Sequence, residues 1–239
     1  MKPSKFHPKS TIQYDSYEVI IASTAFWCTS YGILRLLLPN KPQEFTCRIL
    51  TFVHGLIMAY LGVRECLMPG TPFIYPELQT TCSHKRVMVM SLGYFIFDLL
   101  WSVLFGSETK LMLTHHIYSI CALARMLFKN TAGPQAMCSL GTMEITNPLL
   151  QTRWFIRSAG LYPSKLHTAT EFAFFVTFVV VRIFIGTYFM FLVFTQTQND
   201  LEFLFLAMAI YVMSWMFMIN ILAYVKKKYV VEEDSNKDT

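Results

Sequence analysis

Charge is what this sequence has least of. Only 15% of its 239 residues are Asp, Glu, Lys or Arg, against 54% that are hydrophobic. A soluble domain carries roughly a quarter charged residues, so the composition predicts a multi-pass membrane protein. No Cys-x-x-Cys pair and no His-Glu-x-x-His occur, so no zinc motif with strong spacing is present. Gly-rich phosphate loops and Gly-x-Ser-x-Gly are also absent, which argues against P-loop NTPases and α/β-hydrolases. The sequence offers no Asn-x-Ser/Thr acceptor. Net charge is +5 and the basic residues cluster at segment ends, so they orient the chain in a bilayer rather than recruit nucleic acid. No metal and no resident cofactor are expected.

What is present is a series of apolar runs. An all-α membrane protein of seven helices is predicted: residues 17–38, 47–67, 87–105, 111–128, 134–151, 166–194 and 201–225. Each strong run has the ~20 residues that a hydrocarbon core requires. The first follows a polar tail, residues 1–16, and has no small-residue cleavage site, so it reads as a retained span. The fifth is the weakest, because Glu144, Asn147 and Pro148 interrupt it. A short Gly-Ser-Glu-Thr-Lys link makes the third and fourth an antiparallel hairpin. After Lys226-Lys227-Lys228 the chain turns acidic, over residues 229–239. Seven spans place the termini on opposite sides. The N-terminal side then holds seven Lys and Arg and the other side eleven, with Arg125 and Arg182 inside spans. The bias puts the C-terminus in the cytosol. Most of the six Cys lie in apolar runs and read as reduced; Cys66 and Cys82 flank one loop and are the pair expected to join if that loop is not cytosolic.

The ionisable residues inside the runs are costly, which marks them for pairing or chemistry. At 1.5 Å per residue, His54, Asp98, His115, His116, Glu144, Asn147, His167 and Glu171 all fall roughly 5–10 Å below the cytosolic surface. Five helices thus contribute to one layer, which reads as a shared polar site inside a bundle. His115 and His116 point about 100° apart on their helix. Each residue also has a plainer reading. His54 and His167 suit hydrogen-bonded packing, Glu144 and Asn147 suit a kink beside Pro148, and Arg125 suits snorkelling to the far interface. Glu171 and Arg182 lie eleven residues apart, three helical turns, and are expected to pair.

At these residues the sequence resembles the TLC-domain family, which includes the translocating-chain-associated membrane protein and the ceramide synthases. The resemblance runs over residues 44–228. Glu44-Phe-Thr-Cys-Arg48 resembles the start of the domain, and Tyr94-Phe-Ile-Phe-Asp98 its third-helix aromatic and acidic stretch. Thr114-His115-His116 resembles the paired-His motif. Met143-Glu144-Ile-Thr-Asn147-Pro148, continued by Arg153-Trp154-Phe155, is similar to the pattern of the smaller members. The resemblance implies six helices in a barrel around a lipid-accessible cavity, with the first span outside it. Ceramide synthases carry a His-Asp pair and a further Asp where this chain has Met143, Glu144 and Asn147, so a second His and an acid are missing.

Three functions follow as expectations. The leading one is a cavity that binds lipid or acyl chains and influences membrane lipid composition. Here His115, His116 and Asp98 are the candidate catalytic residues, and His54, Glu144, Asn147 and Glu171 line the lipid site. The second is an acyltransferase in which His115 or His116 is the base and Asp98 orients it, with acyl-CoA as substrate. The third is a non-catalytic helper of membrane proteins. The expected partners are membrane lipids, with a second copy of the chain an open alternative, and the expected location is the endoplasmic reticulum or the plasma membrane.

Overall fold

The computed structural model describes residue 14 and residues 16–67, 79–196 and 200–231. Among these, all regular structure is helical. The helices are α1 (Tyr17–Leu37), α2 (Gln43–Leu67), α3 (Cys82–Phe105), α4 (Lys110–Lys129), α5 (Gly133–Glu144), α6 (Thr146–Ser158), α7 (Lys165–Phe178), α8 (Gly186–Gln196) and α9 (Leu201–Lys226). Six of the resulting rods are long and apolar enough to cross a membrane: α1, α2, α3, α4, the continuous Lys165–Thr195 and Leu201–Tyr229. Their outer faces carry exposed Leu36, Leu104, Phe172 and Phe184. Apolar surface of that extent is stable only against lipid, and the chain is an integral, multi-pass membrane protein.

Local chemistry sets the helix ends. Ser16, Thr109, Ser164 and Asp200 each accept a first-turn N–H through the side chain, and Thr81 with His84 forms a reciprocal capping box on α3. The α3–α4 hairpin turns at Gly106, φ +60°, a left-handed geometry that glycine adopts without strain. The segment expected at 134–151 is two short helices. Ile145 N–H bonds Thr142 O, three residues back, and α6 starts immediately after it, with Pro148 in its first turn. The 166–194 segment also departs from a plain α-helix: residues Val179–Ile185 form a π-helical turn.

The core is built around α2 and α3. On α1, Trp27 Nε1 donates to Met90 O at 3.1 Å and Ser23 Oγ to Val89 O at 3.1 Å, so α1 is packed along α3. Helix α2 lies against α3, α5 and α6; α4 against α3 and α9; α7 against α6; and α9 against α8 and the π turn. Helices α2 and α5 cross with their backbones in contact: a Cβ on Gly62 would stand 2.4 Å from Gly141 Cα. Small residues allow such contact in a bilayer. One helical turn beyond it, Cys66 is disulfide-bonded to Cys138. The partner expected for Cys66 was Cys82, the next cysteine in the chain. Cys82 is free; α3 also reaches this end of α2, where His84 Nε2 stands 3.9 Å from Glu65, but Cys66 itself meets α5.

At that same end Arg125 of α4 is ion-paired to Asp200 and reaches Glu202 at 3.4 Å. Burial pushes the Asp200 carboxyl upward, but the Phe203 N–H and the Arg125 guanidinium outweigh it and hold the group below its usual range. Arg125 thus ties α4 to the start of α9, where the sequence suggested free snorkelling.

Candidate functional site

The helices enclose a cavity of about 500 Å3. Its apolar wall is Phe174 and Phe178 of α7, Leu150 of α6, and Phe217 and Ile221 of α9. The polar wall comes from α2, α3, α4 and the α5–α6 break. Asp98, His115, His116, Glu144, Asn147 and Glu171 all line it. Two of the expected residues do not. His54 is fully buried behind the wall, and His167 sits under the Tyr162 ring at 4.7 Å with neither ring nitrogen hydrogen-bonded.

Asp98 and His116 face each other across α3 and α4, with Asp98 Oδ2 at 3.3 Å from His116 Nε2. The other oxygen, Oδ1, accepts from the Cys47 thiol at 3.6 Å. An acid on Nε2 favours the proton on that nitrogen and leaves Nδ1 with its lone pair. His116 Nδ1 is buried and makes no hydrogen bond. The arrangement is that of an imidazole held in one tautomer by a carboxylate, in the wall of an apolar-lined cavity and with Nδ1 itself covered. His115, the preceding residue, has a buried Nδ1 without a partner and lies edge-on to Phe217 at 5.7 Å. Neighbouring positions on α4 point in different directions, and both reach the cavity because α4 contacts α3 on one side and α9 on the other.

The second acid–imidazole pair supports the wall. His54 Nδ1 is 3.7 Å from Glu144 Oε2, its Nε2 shares a hydrogen bond with Ser91 Oγ at 3.0 Å, and its ring stacks on Tyr94 at 3.8 Å. Glu144 starts a chain of side chains that climbs α6. Asn147 Nδ2 donates to Glu144 at 3.1 Å, Gln151 Nε2 to Asn147 at 3.1 Å, and Arg48 to Gln151 Oε1 at 3.0 Å. Residues 144, 147 and 151 lie on one helical face, which the i, i+3, i+7 spacing would have shown. Gln151 and Cys47 give no signal in the sequence, because a neutral amide and one of several apolar-run cysteines carry no charge.

At the mouth, Arg48 reaches Glu44 at 2.8 Å and Glu108 at 3.9 Å, and its guanidinium lies over Trp154. Burial pushes the Glu108 carboxyl upward, against the opposing pull of Arg48. Glu171 is held by Arg153 at 3.2 Å, by Lys228 and by the Tyr229 hydroxyl at 2.9 Å. The expected Glu171–Arg182 pair therefore does not form. Arg182 instead donates to Met143 O at 3.1 Å, at the α5–α6 break. At 1.5 Å per residue the eleven residues between them span about 16 Å along the axis, beyond the reach of the two side chains.

Among the described residues no group of three His, Cys, Asp or Glu is placed to hold a metal ion. Fold and cavity together define a polytopic helical membrane protein with an internal polar cluster under an apolar-walled chamber. The profile of the TLC domain, shared by the TRAM, LAG1 and CLN8 proteins, matches residues 44–225, and the chain belongs to this family. It is 28% identical over 118 residues to a protein named for a TLC domain, L438, of Acanthamoeba polyphaga mimivirus. That match covers 49% of this chain and 58% of the viral protein's length. No solved structure matches the chain.

Proposed function

We propose that the cavity binds a lipid or acyl chain and that the protein thereby influences membrane lipid composition. The observation that carries this reading is the Asp98–His116 pair, set in the wall of a chamber of about 500 Å3 whose opposite wall is aromatic and aliphatic. A pocket of a few hundred Å3 with convergent polar groups is the usual form of a ligand site. Helices α2, α3, α4, α9, α7 and α6 would close around it as the six-membered barrel, with α5 continuing α6 into a seventh span and α1 outside. Within the family, the Met143–Phe155 stretch is most similar to the smaller TLC-domain-containing proteins.

A lipidomic comparison tests the reading. Cells lacking the protein are rescued with wild type or with His115→Ala/His116→Ala. Wild type is expected to restore one lipid class and the double variant, at equal abundance, to leave it unrestored. Restoration by both would remove the histidines from the site, and an unaltered knockout lipidome would remove the function.

One observation favours a second, more specific reading, acyl transfer from acyl-CoA to a lipid amine or alcohol. His116 Nδ1 has no hydrogen-bond partner of its own. It would take the proton from the attacking amine or hydroxyl while Asp98 steadies the imidazolium. A helper role for other membrane proteins would need no such pair.

The disulfide supports an orientation. Cys66 and Cys138 pair at the end of the bundle opposite the Arg48 mouth, and disulfides persist in oxidising compartments. That end would face the lumen or the exterior, with the mouth and the C-terminus in the cytosol, in the endoplasmic reticulum or plasma membrane. Thiol labelling checks this on Cys82, free and exposed at that end: an impermeant maleimide should reach it in intact cells if the protein is at the plasma membrane, and only once the organelle membrane itself is opened if it is in the endoplasmic reticulum. Labelling that first appears on opening the plasma membrane alone would invert the topology.

A further inference from the structure

Arg182 is a cation in the middle of a span with no anion of its own. It stands 17 residues from Lys165, the start of its rod, which at 1.5 Å per residue is about 25 Å along the axis. Its guanidinium lines the cavity. One nitrogen donates to Met143 O at 3.1 Å, and Nε is buried without a hydrogen bond. Among the described residues no carboxylate forms an ion pair with it. The acid in its electrostatic reach is Glu144, and that carboxylate already accepts from Asn147 at 3.1 Å and faces His54 at 3.7 Å. On the other flank His115 lies in electrostatic reach of Arg182 and also has a buried, unpartnered ring nitrogen, Nδ1.

A protein gains nothing in stability from a mid-membrane guanidinium that is left short of acceptors. Arg182 lies within the π turn, on the side of the rod that lines the cavity. From these placements we infer that Arg182, flanked by His115, is the seat of a carboxylate, and that the chamber takes a free fatty acid with its acid group inward. The inference rests on the lipid-cavity reading above and specifies its ligand. A planar guanidinium matches a carboxylate through two parallel N–H bonds, and the hydrogen bond to Met143 O uses one of the five N–H donors of Arg182. Phe178, whose ring lies 5.7 Å from the guanidinium carbon, and Phe174 and Phe217 then supply the walls for the first methylenes. A neutral ester or alcohol would leave the cation as it is and would gain only the chain contacts.

The test uses the full chain in detergent with labelled palmitate, displaced by unlabelled palmitate or by hexadecanol. Palmitate is expected to displace the label about tenfold more effectively than hexadecanol, in keeping with a charge-assisted pair. Arg182→Met should abolish that difference while both ligands still bind, and Arg182→Lys should keep part of it. Equal displacement by acid and alcohol in the wild type would overturn the carboxylate seat and leave the cavity reading standing. Absence of saturable binding by either ligand would overturn both. A second measurement serves if Arg182→Met does not fold: the carboxyl 13C resonance of palmitate bound to wild type. It is expected at the ionised position down to about pH 6, because a cation beside an acid favours its charged form. A resonance at the protonated position would overturn the inference.

Discussion

Asp98→Asn is expected to abolish the lipid phenotype while leaving the protein folded. Asn keeps the shape of Asp and can still accept from Cys47, so the α2–α3 contact survives. What it loses is the charge facing His116 Nε2 at 3.3 Å. Nothing then holds the proton on Nε2 or stabilises the imidazolium, and a base in the wrong tautomer cannot take a proton through Nδ1. If the reaction is acyl transfer, the loss falls in the ~10²–10⁴-fold range typical of a general base. Asp98→Leu is the contrasting variant. It leaves the Cys47 thiol and the His116 ring facing a hydrocarbon, at a cost of about 1–3 kcal/mol in stability. The two are separated by measuring product lipid in rescued cells alongside thermal unfolding in detergent. Normal product with Asp98→Asn would rule the pair out as a catalytic element, whatever the stability.

The second large effect lies away from the cavity. Gly62→Leu is expected to prevent folding, because even its Cβ would meet Gly141 Cα at 2.4 Å and Gly141 N at 2.5 Å. Both are backbone atoms, so no side chain can rotate away; α2 and α5 must separate. Overpacking a core costs about 1–3 kcal/mol where side chains can yield, and here they cannot. Separation would also pull Cys66 from Cys138 and Glu144 from His54. Gly62→Ala should show the same defect more mildly. Gly32→Ala is the control, since a Cβ there meets nothing within 4 Å. It should be neutral or stabilising by up to ~1 kcal/mol, as for any Gly→Ala change inside a helix. Non-reducing gels and size-exclusion profiles of the three variants decide the matter; a monodisperse, disulfide-bonded Gly62→Leu protein would refute the tight α2–α5 crossing.

The glycine contact is also a fair measure of what could be read from the chain alone. Gly62 and Gly141 stand in apolar runs with nothing to distinguish them from Gly32. The contact depends on which helices touch and on how each is rotated, and neither follows from hydropathy. The same limit explains the other differences. His54 falls in the same layer by residue count, yet its ring is packed behind Tyr94 because position along an axis says nothing of direction around it. Cys66 bonds to Cys138 rather than to Cys82, its neighbour in sequence, because helix order in space puts Cys138 beside it. Glu171 and Arg182 share a face by turn count, yet about 16 Å of helix axis separates them, and each takes a nearer partner.

The sequence by itself determined the class of protein and the location of its membrane-crossing rods, because burial in lipid is a matter of length and composition. It also placed Asp98, His115, His116, Glu144 and Glu171 at one depth, since rise per residue converts position into height. Their gathering around a single chamber was decided by the tertiary structure. So was the choice of Met143 O as the partner of Arg182, and of His116 rather than His115 as the neighbour of Asp98. These depend on helix rotation and inter-helix contact, which many side chains set together through close packing and no local stretch encodes.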